Sequence, residues 1–279
     1  MIVLVTVFAF AIFGLEVFNL DPHATSATQY APPSSEHPFG TDVNGRDAFA
    51  RVIEGARISL IVGFSGAFIA LFVGTTYGMI SGYVGGRTDA LMMRFVEILY
   101  TIPRLIIIIL VTFIFDRHFK TWLNDVGLPG LVGYSKIIIL IISLGLIEWL
   151  TMARIVRGQV LALKSQQFVL AARSLGQSHT RIILRHLLPN LLGIVIIYLT
   201  LTIPAVILDE SFLSFLGLGV QAPQASWGSL LSEGAQVINP VKSYWWLLLF
   251  PALVMSMTLL ALNFLGDALR DALDPRAKR

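Results

Sequence analysis

The sequence contains no cysteine. That excludes a disulfide framework, a thiolate metal site and a thiol nucleophile. It is also poor in charge: Asp, Glu, Lys and Arg make up 13% of its 279 residues, against roughly 25% in soluble globular proteins. Lysine occurs only at 120, 136, 164, 242 and 278, and never after a glycine. The Gly-Lys-Ser/Thr end of a phosphate-cradling loop is therefore missing, and the chain does not hydrolyse ATP by that route. H-E-x-x-H and G-x-S-x-G are absent too, and the histidines are scattered. No catalytic residue, no metal-ligand set and no cofactor of its own are expected. The net charge of +3 is too small an excess to argue for nucleic acid as a partner.

What is abundant is apolar. Hydrophobic residues make up 56% of the chain and the mean hydropathy is +0.77, which points to a chain whose solvent is largely lipid. Six stretches are apolar enough for membrane helices: 1–20, about 58–84, 94–115 with a polar first half, 137–154, 190–208 after Pro189, and 244–265. The last opens on Tyr244-Trp245-Trp246, an aromatic cluster suited to the headgroup level. The first reads as a retained span rather than a secretory signal, because it lacks a basic lead and an A-x-A cleavage site. With the N-terminus inside, segments 84–93, 155–188 and 267–279 are cytoplasmic and collect about 12 Lys and Arg against about 7 outside, Arg104 set aside. The expectation is an all-α membrane protein, N-in and C-in. Segments 21–57 and 216–243 are then external loops with short helices, and 267–279 is a cytoplasmic tail. Gly217-Leu-Gly219-Val-Gln-Ala222 matches a dinucleotide fingerprint only in its letters; it follows a span rather than a strand and reads as a surface turn.

Three groups of residues stand out. Gly74, Gly78, Gly82 and Gly86 recur every four residues and place side-chain-free positions on nearly one helix face, so another helix is expected to pack closely there. Arg104, Glu148, Asp209 and Glu210 lie in or at the ends of spans, where a charge costs about 2.5 to 3.5 kcal/mol and needs a partner or a watery cavity. These four are candidates for a pathway or gate, with Arg104 and Glu210 first. Pro103 breaks one backbone bond just ahead of Arg104. Arg94 and Glu97 are spaced as a local pair. The third group is the loop over 158–188. It is basic and apolar together, with Phe168, Ala171, Ala172 and Leu175 at i, i+3, i+4 and i+7 and Gly176 as a stop. Small residues in the middle of an amphipathic helix favour a protein groove over a lipid surface.

The order Ala171-Ala172, three residues, Gly176, nine residues, one more pair, then Leu188-Pro189 resembles the E-A-A-x3-G-x9-I-x-L-P signature of membrane subunits of ABC importers, with Leu170 at the glutamate and His186 at the isoleucine. Flanking stretches extend the resemblance along the chain: His37-Pro-Phe-Gly-Thr-Asp-Val-Asn-Gly-Arg-Asp47, Gly82-Tyr-Val-Gly-Gly86, Met152-Ala-Arg-Ile-Val-Arg-Gly-Gln159, Ser214-Phe-Leu-Gly-Leu-Gly219 and Gly266 to Pro275. Together they resemble the C-type permease of the dipeptide/oligopeptide/nickel transporter family, most of all its oligopeptide branch.

The resemblance implies the type I importer fold, with six spans and a coupling helix carried by Phe168, Leu170, Ala171, Ala172, Arg173, Gly176, Leu188 and Pro189. It implies a B-type permease partner, two ATP-binding subunits that hold ATP and magnesium, and an extracytoplasmic substrate-binding protein, all at the inner membrane. Peptides are the default cargo, with nickel or another small solute as the alternative. A secondary transporter would carry its own coupling residues and need no ATPase, and an intramembrane enzyme would need a nucleophile–base set that is not visible.

Overall fold

Long runs of Ile, Leu, Val, Ala and Phe bond their backbone within the segment when no water is available, and helices result. The computed structural model of the chain describes residues 2–238 and 242–273, and these are helices joined by loops. Helix α1 covers Ile2–Val17 and contains a wide π turn over Phe10–Gly14. Next come α2 (Ala48–Val84), α3 (Gly86–Thr101) and α4 (Arg104–Asp125), then, after a 3₁₀ turn at Pro129–Tyr134, α5 (Ser135–Leu163). Helix α6 is Gln167–Ser174, α7 runs from His179 to Phe215 through a π turn at Ile183–Leu187, α8 is Trp227–Gln236 and α9 is Trp246–Leu273.

By length and composition, the described residues hold four helices able to cross a membrane: α2, α5 with its preceding turn, α7 and α9. A fifth crossing is counted when α3 and α4, bent by 86° at their junction, are taken as one broken span. Helix α1 is apolar but short. At 1.5 Å per residue it extends about 24 Å, less than the roughly 30 Å hydrocarbon core.

The helices outrun the apolar stretches in the sequence. Helix α2 begins at Ala48, ten residues ahead of the expected 58, although Arg51, Glu54 and Arg57 fall in that first part. The charges are answered by tertiary partners. Asp47 caps the helix by accepting from the Ala50 amide at 2.9 Å, and buried Arg51 pairs with Asp42 at 2.8 Å and with Glu233 of α8. Asp42 also accepts from the amides of Asn44 and Arg46 and from the Arg46 side chain. The His37–Asp47 stretch is thus a folded turn that fastens α8 to the start of α2. Helix α5 likewise passes its expected end at 154 and runs to Leu163, and α7 starts at His179 rather than 190. The expected external segment 216–243 contains α8, with residues 239–241 outside the described residues. The expected tail over 267–279 is helical to Leu273, and residues 274–279 lie outside the described residues.

Helix α2 sits at the centre, lying along α5 on one side and against α7 on another. Its glycine face decides how close α5 comes. A Cβ at Gly74 would stand 2.6 Å from Met152 Cβ and 2.7 Å from the Trp149 carbonyl, and one at Gly82 would stand 2.9 Å from the Arg157 carbonyl. At Gly78 it would run into the Ala153 carbonyl. Gly86 does not belong to this seam: its φ is +58° and nothing lies within 4 Å of a Cβ there. The chain has already turned at Gly85, with φ +70°, and left the α2 axis. The close packing instead extends backwards through buried Ala70 to Gly66, met by Gly145 of α5, where a Cβ would be 2.6 Å from Ile69 Cβ. Leucine at Gly78 is therefore expected to overpack the seam, at about 1–3 kcal/mol or more, lowering the thermal midpoint of the purified protein. Leucine at Gly158, with no atom within 4 Å of its Cβ, is the control expected to leave it unchanged.

Candidate functional site

Helix α6 is short and sits on the end of the bundle where α2 stops and α5 hands over to α7. Gly176, with φ +72°, closes it: the Gly176 and Gln177 amides donate to the Arg173 and Ala172 carbonyls at 2.9 and 3.1 Å. The helix rests on its own chain by a narrow strip, Val169 and Ala172, both buried in a cluster with Tyr83, Val160, Ile182 and Leu187. Phe168, Leu170, Ala171, Arg173 and Leu175 are exposed. The four-residue apolar face expected from spacing is thus divided. At 100° per residue Phe168, Ala171 and Leu175 fall within about 60° of one another, while Ala172 lies on the border towards Val169 and turns inward. Leu188 and Pro189 follow the π turn, with Leu187 fully buried beside them.

Polar ties that spacing alone did not reveal fix this end. Tyr83 Oη lies 2.8 Å from His179 Nδ1, and the Arg173 guanidinium stands over the Tyr83 ring at 5.3 Å. His186, at the signature's isoleucine position, reaches Gln177 Oε1 with its Nε2 at 2.9 Å. Asp89 accepts from Arg157 Nε and Nη2 at 2.5 and 2.7 Å and from Ser81 Oγ at 2.5 Å. Lys164 Nζ donates to the Gly82 carbonyl at 2.7 Å. The sequence signal for this cluster is Gly85-Gly86: two positive-φ residues fold the chain back and return Asp89, in the first turn of α3, over the end of α2.

A second group lies deeper. At the break between α3 and α4, Arg104 donates from Nη1 to Glu148 Oε1 of α5 at 3.3 Å and forms an ion pair through Nη2 with Asp209 Oδ1 of α7 at 3.0 Å. Both carboxylates are mostly buried while Arg104 is half-exposed. Arg104 and Glu148 line a pocket of about 230 Å³ with Tyr100, Pro103 and Thr151. Glu210, ranked with Arg104 from the sequence, goes elsewhere. It is fully buried and accepts from Ser59, Ser211 and Ser214 at 2.9, 3.2 and 2.7 Å, and Ser59 in turn accepts from the Trp227 amide. That arrangement ties α2, α7 and α8 together and faces no pocket with Arg104. Arg94 and Glu97 pair on the surface of α3 at 3.5 Å. Among the described residues no three His, Cys, Asp or Glu side chains are grouped to hold a metal.

The chain's residues 74–279 match the model of a protein family described as the binding-protein-dependent transport system inner membrane component. The chain belongs to that family. Members of this family are inner membrane components, and the several apolar helices make this one a multi-pass membrane protein. It is 49% identical over 248 residues to the oligopeptide transport system permease protein OppC of Haemophilus influenzae, covering 88% of this chain and 73% of the relative. It is 44% identical to the dipeptide transport system permease protein DppC of Bacillus subtilis over 281 residues, 99% of this chain and 81% of the relative. The resemblance read from the loop signature and its flanking stretches is borne out. In fold the chain is similar to the inward-facing MetNI methionine ABC transporter, with a TM-score of 0.59 at 17% identity over 81% of this chain and 97% of that one.

Proposed function

We propose that the chain is the C-type permease subunit of an ATP-driven importer that carries peptides across the cytoplasmic membrane. The observation that carries this reading is the identity to oligopeptide and dipeptide permeases along nearly the whole chain. In this reading α1 is the first of six spans, α3 and α4 together are the third, both termini are cytoplasmic, and the transmembrane domain covers 58–266 with a coupling loop over 158–188. The partners are a B-type permease, two ATP-binding subunits that hold ATP and magnesium, and an extracytoplasmic binding protein. The chain contributes no catalytic group of its own.

Each cluster then has a task. Helix α6 docks in a cleft of an ATP-binding subunit through Phe168, Ala171 and Leu175, with exposed Leu170 on the flank beyond Ala171 and Arg173 turned to the Tyr83 ring on the other side. Ala172 and half-buried Leu188 hold that surface in place from within, and exposed Gly176 and Pro189 set the chain direction after it. When the ATP-binding subunits close, α6 moves with them, and the Asp89–Arg157 and Tyr83–His179 ties pass the movement to α2, α3 and α5. The Arg104–Glu148–Asp209 link opens or re-forms as the cavity shared with the B-type permease turns outward and inward. Asp209 and Glu148 hold Arg104, while Glu210 keeps α7 aligned with α2.

The test is reconstitution of the assembled complex in liposomes with labelled tripeptide and the binding protein. Uptake that requires ATP is expected. Uptake by this chain alone without nucleotide would establish a secondary transporter instead, and a complex that moves nickel but no peptide would overturn the cargo.

A further inference from the structure

One further cavity is unrelated to either cluster above. About 690 Å³ in volume, it lies between the far half of α4, the start of α5 and the turn after α7, and is lined by Thr112, Asp116, Arg117, His118, Lys136 and Gln221 among apolar neighbours. Its charges do not balance. Asp116 is occupied on both oxygens, by Lys120 Nζ at 2.6 Å and Ser135 Oγ at 3.2 Å. Arg117 and Lys136 have no acidic side chain in hydrogen-bonding or ion-pair contact among the described residues. Lys136 is also the second residue of α5, where the helix dipole disfavours a cation. His118 Nδ1 lies 3.1 Å from the Ile114 carbonyl and adds no acid.

A second observation is independent of charge. Thr112 is 5% exposed, and its Oγ1 is buried without a hydrogen-bond partner. A hydroxyl in such a place is ordinarily satisfied, because the unmade bond is costly. Two cations without a hydrogen-bonded or ion-paired acid, Lys136 with Asp116 only at longer range, make the cavity complementary to an oxyanion; the unanswered Thr112 hydroxyl is buried in its wall, and the Gln221 amide there already donates to the Gly217 carbonyl at 3.0 Å.

We propose that this cavity receives the C-terminal carboxylate of the peptide in transit, with Arg117 and Lys136 as the binding cations. The proposal rests on the peptide-import reading, and in its topology the cavity lies towards the external side, where cargo arrives. A peptide's other end is an ammonium, which this lining repels, so the site also orients the cargo.

The experiment uses the assembled importer in liposomes, with trialanine and trialanine amide at concentrations that saturate the binding protein. The wild type is expected to take up the acid about tenfold faster, the worth of one charge-assisted contact. R117Q/K136Q is expected to bring that ratio close to one by slowing the acid, with amide uptake changed by less than about twofold. R117K/K136R, which keeps the charges, is expected to retain the ratio. Equal rates in the wild type, or an unchanged ratio in R117Q/K136Q, would overturn the proposal. So would a parallel fall for both substrates that appears only in vesicles containing phosphatidylglycerol and not in phosphatidylcholine alone, since the anion would then be a lipid headgroup. Absence of ATP-dependent uptake of either substrate by the wild type would sink the peptide-import reading, and this one with it.

Discussion

Glutamate in place of Ala171 is expected to leave the chain folded and inserted while cutting ATP-driven uptake roughly thirtyfold, whereas glutamate in place of Ala172 is expected to cost the fold. The two alanines are neighbours in the sequence and opposites in the structure. Ala171 is exposed on the outer side of α6 with Phe168 and Leu175, so a carboxylate there meets water in the free chain and an apolar cleft only on docking. The loss corresponds to an interface hot spot of about 2 kcal/mol. Ala172 is 3% exposed among Val169, Val160 and Leu187, and an unpaired carboxylate buried there costs several kcal/mol. Complex yield, uptake and ATPase rate measured together separate the outcomes. A171E should give full yield, continuing ATP hydrolysis and little uptake, and A172E should give low yield. Normal uptake by A171E would remove α6 from the coupling role.

The second large effect is expected at Arg104. Alanine there leaves Glu148 and Asp209 facing each other with no cation between them, both largely withdrawn from solvent. Breaking a buried ion pair by removing one partner costs about 3–5 kcal/mol. The half-exposed guanidinium brings the expected figure to the lower end or below, because solvent already screens that side. Uptake is expected to fall more than about tenfold. Lysine is expected to restore only part of it, since one ammonium on a flexible stem replaces a fork that now spans α5 and α7 at once. The triple variant R104A/E148Q/D209N is expected to recover the thermal midpoint but not the transport. Recovery of both would reduce the cluster to a structural tie.

The sequence made the all-helical membrane class and the family legible because hydropathy and spacing are written locally. What it obscured follows from tertiary compensation. Ala48 to Arg57 looks too charged for a membrane helix, but Arg51 finds Asp42 and Glu233, the latter some 180 residues away, and no window average anticipates such a partner. Gly86 continued the four-residue count yet stands after the turn at Gly85, because periodicity is blind to a change of axis. Ala172 matched the apolar stripe, but which border residue turns inward depends on what Tyr83 and Leu187 present to it. Glu210 and Arg104 were equally improbable as charges in apolar stretches, and only Glu210 is buried. Three serines absorbed one, and two carboxylates the other.

Helix α5 is one uninterrupted rod of 29 residues, with Glu148 and Arg157 on it about 14 Å apart along the axis. A rod cannot release one of these grips and keep the other undisturbed: a tilt that lifts Arg157 from Asp89 also swings Glu148 relative to Arg104. The state of the deep charge cluster and that of the α6 end are therefore linked by stiffness alone, with no chain of intervening side chains. A reporter placed at either position should record a single transition, with one midpoint and one rate.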